Sequence, residues 1–352
     1  MPVISKIKVK NASITKDNLL ELLRKISKDK TLIAPVRDRD VEDVDFLPVA
    51  DVAEICFDYE NTATSPKEYF FPQYETMFTF STKSHESIEA KDGAGEIVLF
   101  GIRACDVKAV ELMDKFYERN FEDSFYLSKR RKSVLISLAC SKLNEQCFCT
   151  STETGPVLTE GFDIQLLDAP DGYAVQIGSE KGLELYEKNR NLFGPATEID
   201  AEQLLAEANK QPRKFNLRKV YEALKEDSVD ESLWEDMGER CQSCGLCLFL
   251  CPTCSCFSVA DGKMANNENR RSRQWDACYF TGITRMAGGN NPVRTRAQML
   301  KRKYFHKLCQ QLDEFKMSGC TGCGRCNLVC VGNVNWLNNI IRIDKESKSV
   351  QQ

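Results

Sequence analysis

Two stretches of the chain repeat one cysteine pattern. The first is Cys241-Gln-Ser-Cys244-Gly-Leu-Cys247-Leu-Phe-Leu-Cys251-Pro252, and the second is Cys320-Thr-Gly-Cys323-Gly-Arg-Cys326-Asn-Leu-Val-Cys330. Both read C-x2-C-x2-C-x3-C. That run binds [4Fe–4S] clusters in bacterial-type ferredoxins, with the fourth cysteine serving the other cluster. Three thiolates at two-residue gaps sit on one tight loop that can wrap a face of a cubane. The longer last step begins a helix and carries the fourth thiolate away. Gly245 and Gly324 allow the backbone close to inorganic sulfide, and Pro252 suits the first turn of a following helix. The pattern assigns Cys241, Cys244, Cys247 and Cys330 to one cluster, and Cys251, Cys320, Cys323 and Cys326 to a second. Zinc knuckles would pair two x2 motifs, not two triplets each with a trailing cysteine. Val331 stands where proline is usual; this weakens the helix start there and removes no ligand.

A third set, Cys105, Cys140, Cys147 and Cys149, lies far from these motifs in sequence. Glu96 to Gly101 and Ser133 to Ala139 read as buried strands. Asp106 is the expected N-cap of an intervening helix through Val110, Leu112 and Met113. Strand, helix and strand at this spacing predict a parallel pair. Cys105 and Cys140 then follow the C-terminal ends of the strands, where open α/β sheets place ligands. Cys147 and Cys149 occupy the next loop. Four such thiols are either inert and buried or bind a soft centre, Fe–S or zinc. Beside two other clusters, a third [4Fe–4S] cluster is the expectation.

The elements around these residues set the organisation. Leu19, Leu20, Leu22, Leu23 and Ile26 recur at helical spacing between Asp17 and Lys28. Phe162, Ile164 and Leu166 alternate up to a Pro170-Asp171-Gly172 turn, and Tyr173, Val175 and Ile177 alternate after it, which reads as a hairpin. Residues 200 to 226 look helical, with Leu217, Val220, Tyr221 and Leu224 on one face. The fold class expected is an α/β (α+β) N-terminal domain with a short parallel core, over residues 1–228. A mainly helical, ferredoxin-like dicluster domain follows over residues 229–352, with an inserted basic segment, 252–319. That segment carries Arg270, Arg271, Arg273, Lys301, Arg302 and Lys303. They read as a solvated face or, alternatively, as a docking surface for an acidic partner. It also holds Cys254, Cys256, Cys278 and Cys309, which no spacing rule ties into one site.

The 352 residues include 17 cysteines and only 2 histidines, with a net charge of −4. Cysteines this closely spaced in a chain this long fit metal sites better than disulfides. His85 and His306 are expected to be surface or packing residues. The charge balance predicts neither nucleic acid nor an anionic membrane as partner. Apolar runs are too short to span a bilayer, and the N-terminal sequence has no signal-peptide pattern. A cytoplasmic protein is expected.

Six segments resemble the family that contains the sulfhydrogenase (NiFe hydrogenase) beta subunit together with its counterpart in anaerobic sulfite reductase. They are FFPQYETMFTF (70–80), LFGIRACD (99–106), CFCTSTETGP (147–156), CPTCSCF (251–257), RSRQWDAC (271–278) and CTGCGRCNLVC (320–330). They fall in order over most of the chain; Val331 and GGNNP (288–292) depart from the family pattern. The resemblance implies a non-catalytic subunit that passes electrons between a flavin subunit, which handles NAD(P)H, and a catalytic subunit. The absence of a G-x-G-x-x-G after a strand, a P-loop or a nucleophile elbow agrees with this. The alternative is a reductase subunit whose own cluster acts on sulfite or a disulfide. A purely structural Fe–S scaffold, as in some nucleic-acid enzymes, lacks the basic domain it would need.

Overall fold

The computed structural model describes residues 6–37, 43–81, 89–90, 95–196, 213–264 and 268–346. The chain opens with β1 (Lys6–Thr15), α1 (Lys16–Asp29), β2 (Thr31–Arg37) and β3 (Val44–Pro48). It continues through β4 (Tyr74–Ser81), β5 (Glu89–Ala90), β6 (Ile97–Ile102), α2 (Ala104–Glu118), α3 (Ser124–Arg131) and β7 (Ser133–Leu138). After α4 (Cys149–Thr152) come β8 (Ile164–Ala169), β9 (Gly172–Ser179) and α5 (Glu180–Lys188).

Seven of these strands form one mixed sheet in the order β1-β9-β8-β7-β6-β2-β3. Its centre, β2, β6, β7 and β8, is parallel; β3 and β9 run antiparallel to it on either side, and β1 pairs antiparallel with β9 at the edge. β6 and β7 alternate between two apolar layers, as strands covered on both faces must. Val98, Phe100, Val134 and Ile136 pack with Leu19, Leu22, Leu23 and Ile26 of α1. Leu99, Ile102 and Leu135 pack with Val107, Val110 and Met113 of α2 and with Tyr126 and Leu127 of α3. The expected parallel pair and the hairpin, β8 with β9, are both present.

Asp106 does not cap α2. The helix begins two residues earlier, at Ala104, with Arg103 at the cap and no side-chain cap bond. Asp106 lies inside the first turn with its carboxylate committed to a buried ion pair (below), so it is not free to fold back on the helix end.

The second half is mainly helical. Its helices are α6 (Leu217–Lys225), α7 (Glu231–Arg240), α8 (Leu246–Phe249), α9 (Arg296–Phe305), α10 (Gln311–Phe315), α11 (Arg325–Leu328) and α12 (Trp336–Glu346). A π-turn, His306–Gln310, joins α9 to α10. Asn216 caps α6 by accepting from the Arg218 and Lys219 amides. Of the helical stretch expected over 200–226, the described part is non-helical at 213–216 and helical over Leu217–Lys225; residues 197–212 lie outside the described residues. Trp234, Met237, Tyr304, Trp336 and Ile340 form the core, with Tyr304 3.9 Å from Trp336 and 5.3 Å from Trp234 between ring centroids.

Two strands interrupt the helices, β10 (Phe257–Lys263) and β11 (Glu268–Trp275). This hairpin reaches back to the first half, where β11 pairs with β4 in a second sheet of order β10-β11-β4-β5. The inserted segment does not present one basic face. Arg273 is buried and pairs with Glu75 and Asp123, both at 2.7 Å. Arg271 pairs with Asp261 at 2.7 Å, Lys301 with Asp227 at 2.8 Å and Glu231 at 3.1 Å, and Lys303 is buried. His306 is half-buried in the π-turn, and burial holds its imidazole down to about 4. His85 lies outside the described residues.

Candidate metal centres

Cys241, Cys244, Cys247 and Cys330 line a single recess, and Cys326 also reaches its wall. Two local devices shape it. Gly245 (φ +81°) begins α8 and Gly324 (φ +76°) begins α11, both in the left-handed region that favours glycine. A Cβ on Gly245 would lie 2.8 Å from the Phe280 ring, and one on Gly324 would lie 2.7 Å from the Gln146 carbonyl oxygen. The second device is donors aimed at sulfur. The Ser243 amide lies 3.4 Å from Cys241 Sγ, the Val334 amide 3.2 Å from Cys330 Sγ, and Lys303 Nζ 3.4 Å from Cys247 Sγ. Such donors stabilise thiolate and tune cluster potentials.

The second quartet is more deeply set. Cys320 is buried, and burial with the neighbouring Cys251 pushes its thiol up. Burial pushes Cys323 up to about 12, with Cys251 again among the causes, and raises Cys326 together with Cys320 and Cys323. Cys251 thus lies near Cys320 and Cys323, and Cys326 lies near Cys320 and Cys323. Cys254 lies beside Cys251, its amide donating to the Cys251 carbonyl at 3.3 Å. Thr253 Oγ1 is 3.2 Å from Cys251 Sγ.

The third set also converges. Cys105, Cys140, Cys147 and Cys149 line one recess, together with Arg103, Gly322 and Cys323. Arg103 fixes two of the four by joining the strand ends that carry them. Its guanidinium donates to the Leu138 and Ala139 carbonyls at 3.2 Å, donates to the Tyr59 carbonyl, and stacks 3.9 Å from the Tyr59 ring. Burial pushes Cys140 up to about 11 and Cys149 up to about 12, and lifts Cys105 well above the usual range. A metal binding there must displace these protons.

This third recess is built against the second cysteine loop. The Phe148 amide donates to the Gly322 carbonyl at 2.8 Å, and Thr154 Oγ1 to the Thr321 carbonyl at 2.7 Å. Asn61 Nδ2 donates to the Cys323 carbonyl at 3.0 Å. Arg325, between Cys323 and Cys326, pairs with Asp106 at 2.6 and 2.8 Å and also donates to Asn61 Oδ1, Thr62 Oγ1 and the Thr62 carbonyl. Both charges are almost wholly buried, at 2% and 1% side-chain exposure.

Sequence reasoning missed Arg325, Arg103, Lys67, Lys303 and Lys307. Only Arg325 carried a signal, standing among cluster cysteines where the first motif has Leu246. Cys309 is buried against the Tyr221 carbonyl at 3.7 Å, and Cys56 contacts Arg37 and the Asp58 carbonyl, so both lie apart from the three quartets. Cys256 neighbours Cys278, which burial pushes up to about 11. Among the described residues, no three His, Cys, Asp or Glu converge as a single-ion site would require; the thiols instead stand round recesses.

Residues 240–334 match the 4Fe-4S dicluster domain family. The chain thus carries a domain of the kind that holds two [4Fe–4S] clusters. Sulfhydrogenase 2 subunit beta of Pyrococcus furiosus is 32% identical over 293 residues, covering 82% of this chain and 85% of that protein. The chain belongs to the sulfhydrogenase beta-subunit family. A chain of the F420-reducing [NiFe] hydrogenase complex from Methanosarcina barkeri aligns over 64% of this chain and 95% of its own, with TM-score 0.40 and 14% identity. Among the described residues, no helix is long and apolar enough to cross a membrane.

Proposed function

We propose that this chain is the iron–sulfur electron-transfer subunit of a multi-subunit anaerobic oxidoreductase in the cytoplasm. It relays electrons between a flavin-containing subunit, which oxidises NAD(P)H, and a catalytic subunit of the hydrogenase or sulfite reductase kind. Cys241, Cys244, Cys247 and Cys330 hold one [4Fe–4S] cluster, and Cys251, Cys320, Cys323 and Cys326 a second. Cys105, Cys140, Cys147 and Cys149 hold a third. Bound there, such clusters supply one-electron redox chemistry.

The observation that carries this reading is the order of the three sites. The second motif contributes Cys326 to the wall of the first recess and Gly322 and Cys323 to the wall of the third. It therefore lies between them, which is the arrangement a through-protein path requires. The exposed Cys244 leaves the first site open to a partner.

Anaerobic affinity purification tests the assignment, with a flavoprotein and a catalytic oxidoreductase subunit expected to co-purify. The isolated chain, given a reduced dye, is expected to turn over neither sulfite nor a disulfide. Steady turnover of either by the chain alone would make it a reductase in its own right.

A further inference from the structure

Helix α9 and the π-turn after it carry two lysines, Lys303 and Lys307, whose ammonium groups are inside the protein. They are 5% and 3% exposed. Burying an ammonium without a compensating anion is costly, yet among the described residues neither lysine pairs with a carboxylate. Each instead faces cysteine sulfur. Lys303 Nζ stands 3.4 Å from Cys247 Sγ and lies over the Trp336 ring at 4.5 Å. Lys307 Nζ donates to Thr253 Oγ1 at 2.6 Å and to the Gly319 carbonyl at 3.0 Å. Thr253 Oγ1 in turn lies 3.2 Å from Cys251 Sγ. A third buried ammonium, Lys67, donates to the carbonyls of Cys251 at 3.0 Å and Cys254 at 3.2 Å.

A [4Fe–4S] cluster with four thiolates is doubly negative when oxidised and triply negative when reduced. A nearby fixed positive charge in a medium of low dielectric favours the more negative state. We propose that Lys303 sets the reduction potential of the cluster on Cys241, Cys244, Cys247 and Cys330, and that Lys307 does the same for the cluster on Cys251, Cys320, Cys323 and Cys326. This rests on the cluster assignment made above. The lysines are positioning charges rather than ligands. Lys303 contacts the Cys247 sulfur directly, whereas Lys307 acts across the Thr253 hydroxyl, which donates to the Gly319 carbonyl at 2.6 Å and lies 3.2 Å from Cys251 Sγ. The second site also has Lys67 beside it.

The test is an EPR-monitored redox titration of the full chain, purified anaerobically, with iron content measured on each sample. Lys303→Met is expected to lower the equilibrium constant for reduction of the first cluster at least tenfold, about 59 mV for a one-electron couple, and to lower that of the second, whose Cys326 shares the wall with Lys303, by less. Lys303→Arg, which keeps the charge, is expected to retain most of the wild-type midpoint. Lys303→Gln separates charge from hydrogen bonding, since it keeps a donor without the charge, and its midpoint is expected to fall with that of Lys303→Met. It also serves as the decisive variant if Lys303→Met loses iron. Unchanged midpoints in variants of full iron content would overturn the inference while leaving the cluster assignment standing. Wild-type protein without a reducible iron–sulfur signal would instead overturn the cluster assignment, and the inference with it.

Discussion

The two cysteine motifs have the same spacing and nearly the same backbone, but they sit in opposite surroundings. Ser243 (φ +52°) and Gly322 (φ +65°) occupy equivalent left-handed positions, as do Gly245 and Gly324. In the first motif Gln242, Cys244 and Leu246 are exposed; their counterparts Thr321 and Arg325 are buried, and Cys323 is half-buried. Ser243 is half-buried, whereas Gly322 is buried. At Gly322 a Cβ would lie 2.5 Å from the Cys149 amide nitrogen. Spacing specifies the cluster, and the residues between the cysteines specify what the loop faces: solvent in one case, the α/β layer in the other.

Asp106→Ala should have the largest effect on that contrast. It leaves the Arg325 guanidinium buried without its counter-charge, and loss of about 3–5 kcal/mol of stability is expected, read as a lowered denaturation midpoint. An unchanged midpoint would mean that the two halves are not joined through this pair. Gly322→Ser copies the first motif into the second. Strain at positive φ together with the clash on Cys149 should cost about 1–3 kcal/mol and unseat the loop holding Cys147 and Cys149, visible as lost iron. The reverse change, Ser243→Gly, should leave iron content intact.

Chelation kinetics sharpen the comparison further. With an iron chelator added to oxidised protein, the cluster at the exposed first motif should be lost before the other two, seen as stepwise loss of absorbance and of one EPR component. Simultaneous loss would erase the proposed difference in access. Leu246→Ala, at the position equivalent to Arg325, is the smallest effect, within about 0.5 kcal/mol as for an ordinary surface change.

The two cysteine motifs were legible because cysteine spacing is a short-range signal, and the parallel strands because both faces of β6 and β7 are apolar. The convergence of Cys105, Cys140, Cys147 and Cys149 followed from that strand order. What local pattern did not disclose was long-range pairing. Asp106 has the composition of an N-cap, and only the distant Arg325 explains why it is not one. Arg273 and Lys303 read as surface charges, yet they are buried because β11 pairs with β4 and because Lys303 faces Cys247. The same pairing joins a strand from the inserted segment to the first half of the chain, which no periodicity in either strand reveals.

The central claim is that three cysteine quartets each hold an iron–sulfur cluster. Iron and acid-labile sulfide analysis of anaerobically isolated protein, beside Cys147→Ser, tests it most directly. About twelve of each per chain are expected for wild type and about eight for the variant, from four iron and four sulfide per cluster. Equal values in the two proteins would remove the third cluster, and zinc without sulfide in the wild type would contradict the account as a whole.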